Sequence, residues 1–302
     1  MSFSFSPTYG VNFVPTLHQQ VPEAYQPGSN PLPSPFVVVI TGASRGLGRE
    51  TAQVFAKAGA TGLILTARSA EGALEETKKL CQAAARSPDL KVSTVAAASG
   101  DEAAAKRIAD VVKTEHGGRL DVLINNAGTV STEASAFDRL EGIRADQIRI
   151  PIEANYVGRF LTMQYLLPAL LDSPGGARTV INVTSICSQF TGFGALGFNV
   201  SALATNRLTE IAAETYADRG LRCYAVHPGT VRTTPPPGMP ADALEHAVDA
   251  PDLCGAMYLW LARERPDWLS GRYLSAEWDI DELKRKREEI VQGDKLKFKM
   301  VV

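Results

Sequence analysis

Cysteine is scarce in this chain of 302 residues: Cys81, Cys187, Cys223 and Cys254 lie far apart, with no CxxC pair, and only four histidines accompany them. That pattern excludes a disulfide framework and a zinc site as organising features, so no metal is expected. An excess of one charge is missing too. The 31 Lys and Arg against 33 Asp and Glu leave a net charge of −2, with a pI near 6.1, and so no electrostatic reason to expect nucleic acid or an anionic membrane as partner. No apolar run approaches the roughly 20 residues that span a bilayer, and the N-terminus lacks a basic region followed by an apolar core. A soluble, cytoplasmic protein is expected, and the length suits one large domain without demanding two.

What is present centres on Phe36-Val37-Val38-Val39-Ile40-Thr41-Gly42-Ala43-Ser44-Arg45-Gly46-Leu47-Gly48, followed by a helical pattern over residues 50–58. A short apolar, β-branched run that breaks into glycines before a helix predicts a buried parallel strand feeding a phosphate-binding turn. Gly42 permits the turn, Gly46 lets backbone approach a pyrophosphate, and Gly48 lets the helix pack closely on the strand. The spacing, TGxxxGxG, is one residue wider than the usual dinucleotide fingerprint.

Strand-length and helix-length patterns then alternate, the mark of repeated βαβ units. Strands are expected over 62–67, 92–97, 120–125, 179–183, 222–226 and 273–274, and helices over 70–86, 102–116, 146–171 (with Pro151 in its early part) and 199–216. The expectation is a doubly wound, Rossmann-type α/β fold: a seven-stranded, mainly parallel sheet with helices on both faces, in a single domain. Residues 1–35, rich in Pro, Ser and Gln but holding Phe3, Phe5, Tyr9, Phe13 and Tyr25, read as an irregular arm. A disordered tail is its default, and the aromatics leave room for an arm that wraps its own domain or a neighbour. Residues 228–250, with Pro235-Pro236-Pro237, form a long irregular insertion of the kind that serves as a lid or is disordered. The domain proper spans 36–280; residues 281–302 are a solvated helix and a tail that is either an edge strand or a frayed end.

Thr41 to Gly48, Asn125-Asn126-Ala127-Gly128, Asn155, Ser185 and Pro228-Gly229-Thr230-Val231-Arg232-Thr233 together resemble the short-chain dehydrogenase/reductase family, over about residues 37–273. The Pro-rich leader paired with SGRYLSAEWD is similar to family members of filamentous fungi. The resemblance implies that Thr41, Gly42, Ser44, Arg45, Gly46, Leu47, Gly48, Arg68, Asn126, Ala127, Gly128, Pro228, Gly229, Val231 and Thr233 bind a nicotinamide dinucleotide. Charge argues for NADP(H): a ribose diol calls for a carboxylate after the second strand, whereas a 2′-phosphate calls for guanidinium groups, and the chain offers Arg68 there and Arg45 in the loop. One departure is Ala98, where the family usually has an adenine-binding aspartate. A homodimer or homotetramer through the long helices is the family expectation.

The family's chemistry uses Asn, Ser, Tyr and Lys, which the resemblance maps to Asn155 and Ser185 and, at the family's offsets, to Phe198 and Ala202. The Tyr and Lys are therefore expected to be absent. Phe198 has no proton to give and Ala202 no charge to lower a pKa, and general acid–base help is worth roughly 10²–10⁴-fold. Three readings follow: a reductase of an acceptor that needs no strong acid, such as an iminium or activated alkene, in secondary metabolism; a non-redox isomerase, cyclase or dehydratase; or a catalytically inactive binding protein. Around this gap, Arg159 shares a helix face with Asn155, Cys187 follows Ser185, and His227 precedes Pro228 at a strand end, which makes all three candidates to line a substrate pocket.

Overall fold

The computed structural model describes residues 9–130, 133–191, 194–231 and 247–300. Seven strands, β1 (Val37–Ile40), β2 (Gly62–Ala67), β3 (Lys91–Ala96), β4 (Val122–Asn125), β5 (Thr179–Val183), β6 (Arg222–His227) and β7 (Tyr273–Ser275), form one sheet in the order β3-β2-β1-β4-β5-β6-β7. Every pairing is parallel. Strands β2 and β5 have the expected bounds, and the rest shift by a residue or two at an end.

β1, β2, β4 and β5 are buried at every position, so their continuous apolar runs belong to strands covered on both sides. The pleat divides them: Val38 and Ile40 join the core under α1 (Gly46–Ala58) and α7 (Leu253–Glu264). Val37 and Val39 join the core under α3 (Glu102–Glu115) and α5 (Gly158–Asp172). Between these, α2 (Ala73–Ala84) follows β2, α4 (Ala145–Ile152) precedes α5, and α6 (Leu196–Thr215) leads to β6. The chain leaves β1 toward β2 on one side and β4 on the other, and the crevice at that reversal is where open sheets of this kind bind ligands.

Four expectations change. The single helix over 146–171 is broken: α4 ends at Ile152, a π-helical turn spans Glu153–Val157, and α5 starts at Gly158. Pro151 has no N–H for the carbonyl four residues back, and the wider turn that follows carries Asn155. The helix α7 was not foreseen, because it buries every residue from 253 to 262 and shows no polar face to give a period. The C-terminal helix is two short ones, α8 (Ile280–Arg285) and α9 (Arg287–Gln292). After them the tail is neither strand nor frayed end: Tyr273 N donates to Leu296 O at 2.9 Å, and Arg207 Nη2 to Phe298 O at 2.7 Å.

Residues 9–35 wrap their own domain rather than trailing in solvent. Val14 is fully buried, the Phe13 ring lies 5.3 Å from that of Trp278, and Trp278 Nε1 donates to Val11 O at 3.0 Å. His18 N donates to Glu277 O at 2.6 Å, Ala250 N to Gln19 O at 2.8 Å, and Tyr25 Oη to Asp281 at 3.0 Å. Of the arm's aromatics, Tyr9, Phe13 and Tyr25 thus have partners, which a solvated tail would not supply, while Phe3 and Phe5 lie outside the described residues.

Candidate active site

The loop after β1 is built for close approach. Gly42 has φ +68°, and a Cβ there would meet Ala127 Cα at 2.9 Å. A Cβ on Gly48 would lie 2.4 Å from Gly42 O and 2.6 Å from Asn126 Nδ2, so this glycine is required by the loop's own carbonyl and by Asn126, not by the strand as expected. Gly46, exposed and at φ +54°, has nothing among the described residues within 4 Å of its missing Cβ. That open space at the start of α1, where Arg45 makes no side-chain cap, fits an anion against unpaired helix N–H groups. Asn126 Nδ2 donates to Thr41 O (2.9 Å) and Gly42 O (3.2 Å), and Ala127 N to Thr41 Oγ1 (2.9 Å), so these residues brace the loop. Ser44 contributes its carbonyl, accepting from Arg49 Nη2 at 2.7 Å, and Leu47 packs half-buried against the core.

Ala43 N donates to Thr66 O at 2.8 Å, which ties the loop to the end of β2. Arg45 and Arg68 each lie two residues beyond this tie. Both are exposed, and neither side chain has a hydrogen bond or ion pair among the described residues, whereas Arg49 is held by Thr77, Ser44, Ala73 and Glu76. Two guanidinium groups without a described carboxylate partner suit a 2′-phosphate. Ala98, with Ala97, Ser99 and Asn125, lines a cavity of only about 20 Å³.

The π-helical turn buries Asn155 and saturates it. Its Oδ1 accepts from Thr129 N (2.7 Å), and its Nδ2 donates to Thr129 O (2.9 Å) and to Ser201 Oγ (2.9 Å), which in turn donates to Phe198 O (2.8 Å). Ser201 was not foreseen; a serine inside an apolar helix was the available signal, since its hydroxyl needs a partner. Ser185 is buried after β5 and accepts from Cys187 N at 3.2 Å. Phe198 lies half-buried in the first turn of α6 and Ala202 is buried one turn on, its carbonyl accepting from Thr184 Oγ1 at 3.2 Å. Ala202 therefore stands next to the residue that precedes Ser185.

The other candidates are more deeply set than expected. Arg159 is buried, donating to Val183 O (2.7 Å), Asn125 O (3.4 Å) and Asn155 O, and burial pushes its pKa down to about 10. Burial raises the Cys187 thiol, which argues against a reactive thiolate. His227 is buried too, its pKa pushed down to about 4 by that burial, and its Nε2 is 3.6 Å from Glu277 Oε2. Pro228 is buried, Val231 half-buried, and Gly229 turns at φ +87°; Thr233 lies outside the described residues. The turn is held by Asp249, unremarked in the sequence, whose Oδ2 accepts from Thr230 N at 2.5 Å. Burial first, and then the Glu277 carboxylate, raise the Asp249 pKa to about 6.

The chain is similar to known proteins in sequence and fold. The family model described as short chain dehydrogenase matches residues 36–237. Short chain dehydrogenase pgmD of Aspergillus terreus is 34% identical over 302 residues, 97% of this chain and 96% of its own. Short chain dehydrogenase mpl6 of Monascus purpureus is 39% identical over 265 residues, 88% of each. The structure of levodione reductase superposes with a TM-score of 0.69 at 25% identity, over 80% of this chain and 96% of that one. A short chain dehydrogenase of Shigella flexneri 2a str. 301 complexed with NADP gives a TM-score of 0.69 at 24% identity, over 82% and 99%, and bears on the fold alone.

Proposed function

Because the chain belongs to the short chain dehydrogenase family, we propose that it is an NADP(H)-dependent oxidoreductase of secondary metabolism that reduces an activated acceptor, an iminium or an activated alkene, without the Tyr/Lys pair. The observation that carries this reading is the contact of Ala202 O with Thr184, the neighbour of Ser185, beside an intact glycine loop. That contact supports the register in which Ala202 takes the place the resemblance gives to lysine, one helical turn after Phe198. The unpartnered Arg45 and Arg68 support NADP(H) over NAD.

When bound, the nicotinamide supplies hydride. The chain's own part is to orient: Arg45 and Arg68 hold the 2′-phosphate, the start of α1 holds the pyrophosphate, and the Pro228–Thr230 turn braced by Asp249 faces the carboxamide. Ser185 offers a hydroxyl to the acceptor, and Asn155, fixed from three sides, keeps α5 and α6 in register around it. A ready-made electrophile replaces the missing acid, since hydride addition to it needs no simultaneous proton transfer. Residues 36–280 form the working domain in this reading, with 1–35 and 281–302 as additions, of which residues 9–35 and 281–300 pack on it. A homodimer or homotetramer is supported by a groove of about 500 Å³ between α5 and α6, where Phe160 and Ile211 expose 45% and 54% of their surface.

The test is consumption of NADPH with a panel of ketones, cyclic iminium ions and conjugated enones. Turnover of an activated acceptor with simple ketones inert supports the reading. Brisk ketone reduction overturns it, and product formed without nucleotide consumption points to an isomerase, cyclase or dehydratase on this fold.

A further inference from the structure

Arg159 is a buried cation without a counterion. Among the described residues, the other arginine as deeply buried, Arg272, meets Asp294 at 3.0 Å. Arg159 makes no ion pair with any described carboxylate and is held instead by three main-chain carbonyls, those of Asn125, Asn155 and Val183. Removing a charge from water without an opposite charge is expensive, and carbonyl dipoles offset only part of that. At a pKa of about 10 the group still carries its proton at neutral pH. Among the described residues, the Tyr258 phenol, buried beside Cys254, is the one titratable group near enough to act on it.

Its place is as telling as its charge. The three carbonyls are those of the last residue of β4, of Asn155 in the π-helical turn, and of the last residue of β5, two before Ser185. A Cβ on Gly128 would lie 3.2 Å from Asn155 Oδ1 and 3.5 Å from Arg159 Nη2, so the guanidinium backs directly onto the NNAG segment. The site therefore holds a fixed positive charge, delivered from α5, while the α6 position that the resemblance gives to lysine is an alanine.

We propose that Arg159 is a positioning residue that replaces the missing lysine charge, and that it biases the site toward a neutral alkene conjugated to a carbonyl and against an iminium. The inference rests on the reading of the chain as a nicotinamide-dependent reductase. An iminium brings a second positive charge toward the guanidinium, whereas hydride addition to an enone leaves an electron-rich enolate that the guanidinium attracts and that then takes its proton from solvent water. The same field favours the neutral, reduced nicotinamide over the cationic, oxidised one. For two unit charges about 10 Å apart at an effective dielectric near 20, the discrimination is on the order of tenfold.

The experiment compares NADPH and NADP⁺ affinity by calorimetry in the full-length wild type, Arg159→Gln and Arg159→Lys, with folding of each checked by circular dichroism. Glutamine keeps N–H donors for the carbonyls and removes the charge. A wild-type preference for NADPH that falls on the order of tenfold in Arg159→Gln and is retained in Arg159→Lys supports the proposal. A ratio unchanged in Arg159→Gln overturns it while leaving the cofactor reading intact. Failure of both nucleotides to bind the wild type overturns that reading and the proposal with it. Wild-type turnover adds a measurement that depends on no variant: enone reduced in preference to iminium supports the proposal, and the reverse order overturns it.

Discussion

Arg68→Ala is the sharpest perturbation of the cofactor assignment, because the structure makes its effect simple. Arg68 is exposed and has no described partner, so its removal strands no buried group and creates no cavity. Whatever affinity is lost is the interaction with ligand itself. A hydrogen bond to a charged group contributes about 1.5–3 kcal/mol, but an exposed pair is screened, with a Debye length of about 8 Å at physiological salt, and falls toward about 1 kcal/mol. The expected loss is therefore roughly 1–2 kcal/mol, or about 5- to 30-fold in NADPH affinity, and NADH affinity should change by less than about twofold because it lacks the 2′-phosphate. Arg45→Ala should behave alike, and because both guanidinium groups share one phosphate the two effects should be coupled, the double variant departing from their product. Fluorescence titration of both nucleotides at low and high salt measures this, and the NADPH preference should shrink as salt rises. Equal weakening of NADPH and NADH, or an NADPH preference that survives in the double variant, refutes the argument that these arginines read a phosphate.

Three further outcomes follow from the same geometry. Gly46→Ala should keep the fold, at about 1–2 kcal/mol for a left-handed alanine, yet lose nucleotide affinity because its methyl enters the space left for phosphate; Gly48→Ala, which drives a methyl into Gly42 O and Asn126, should lower the thermal midpoint as well. Phe198→Tyr with Ala202→Lys should lower stability by about 1–3 kcal/mol, because Ala202 is buried, while raising reduction of simple ketones at least tenfold in an NADPH-consumption assay; no gain in a folded double variant sinks the register. His227 is held neutral, its pKa depressed from 6.5 to about 4, so its contribution is present above pH 6.5 and is lost as pH falls to 4. Asp249, raised from 3.8 to about 6, works in the opposite sense, contributing below pH 3.8 and losing that contribution as pH rises through 6. The wild type should thus show a blunted acid response, and urea unfolding at pH 6.5 and 4.5 should find the wild type losing roughly 2–3 kcal/mol more than His227→Gln between them.

The sheet was legible because its strands are buried on both faces. An apolar run such as Leu63-Ile64-Leu65 between a glycine and Arg68 has few other stable uses in a soluble chain, and parallel pairing follows from the helices between such runs. The same logic hid α7, whose residues 253–262 are buried on all sides, and merged α4 with α5, because a π-helical turn leaves no mark in the letters beyond Pro151. The arm was half legible. Its aromatics announced a need for burial, but Trp278, Asp281 and Glu282, which receive Phe13, Tyr25 and Thr16, lie more than 250 residues away.

The site divides along a similar line. Residues that act through backbone shape, such as Gly42, Gly46 and Gly48, are visible as spacing because a turn is local. Residues that act through partners are not. Arg159 could be placed on the face of Asn155 from its offset of four, but a surface arginine and a buried cation are spelled alike. What separates them is the set of carbonyls around the guanidinium, contributed by β4, β5 and the π-helical turn. Asp249 and Glu277 are likewise ordinary acids until the fold sets both beside the Pro228–Thr230 turn, and there burial changes their chemistry. Charge type is written in the sequence, whereas charge compensation belongs to the assembled fold. Phe198 and Ala202 stand where the resemblance puts an acid and a cation, and the role proposed for Arg159 rests on compensation of this kind: a guanidinium behind Gly128, held by carbonyls with no described carboxylate beside it, would act on an electrophile through its field.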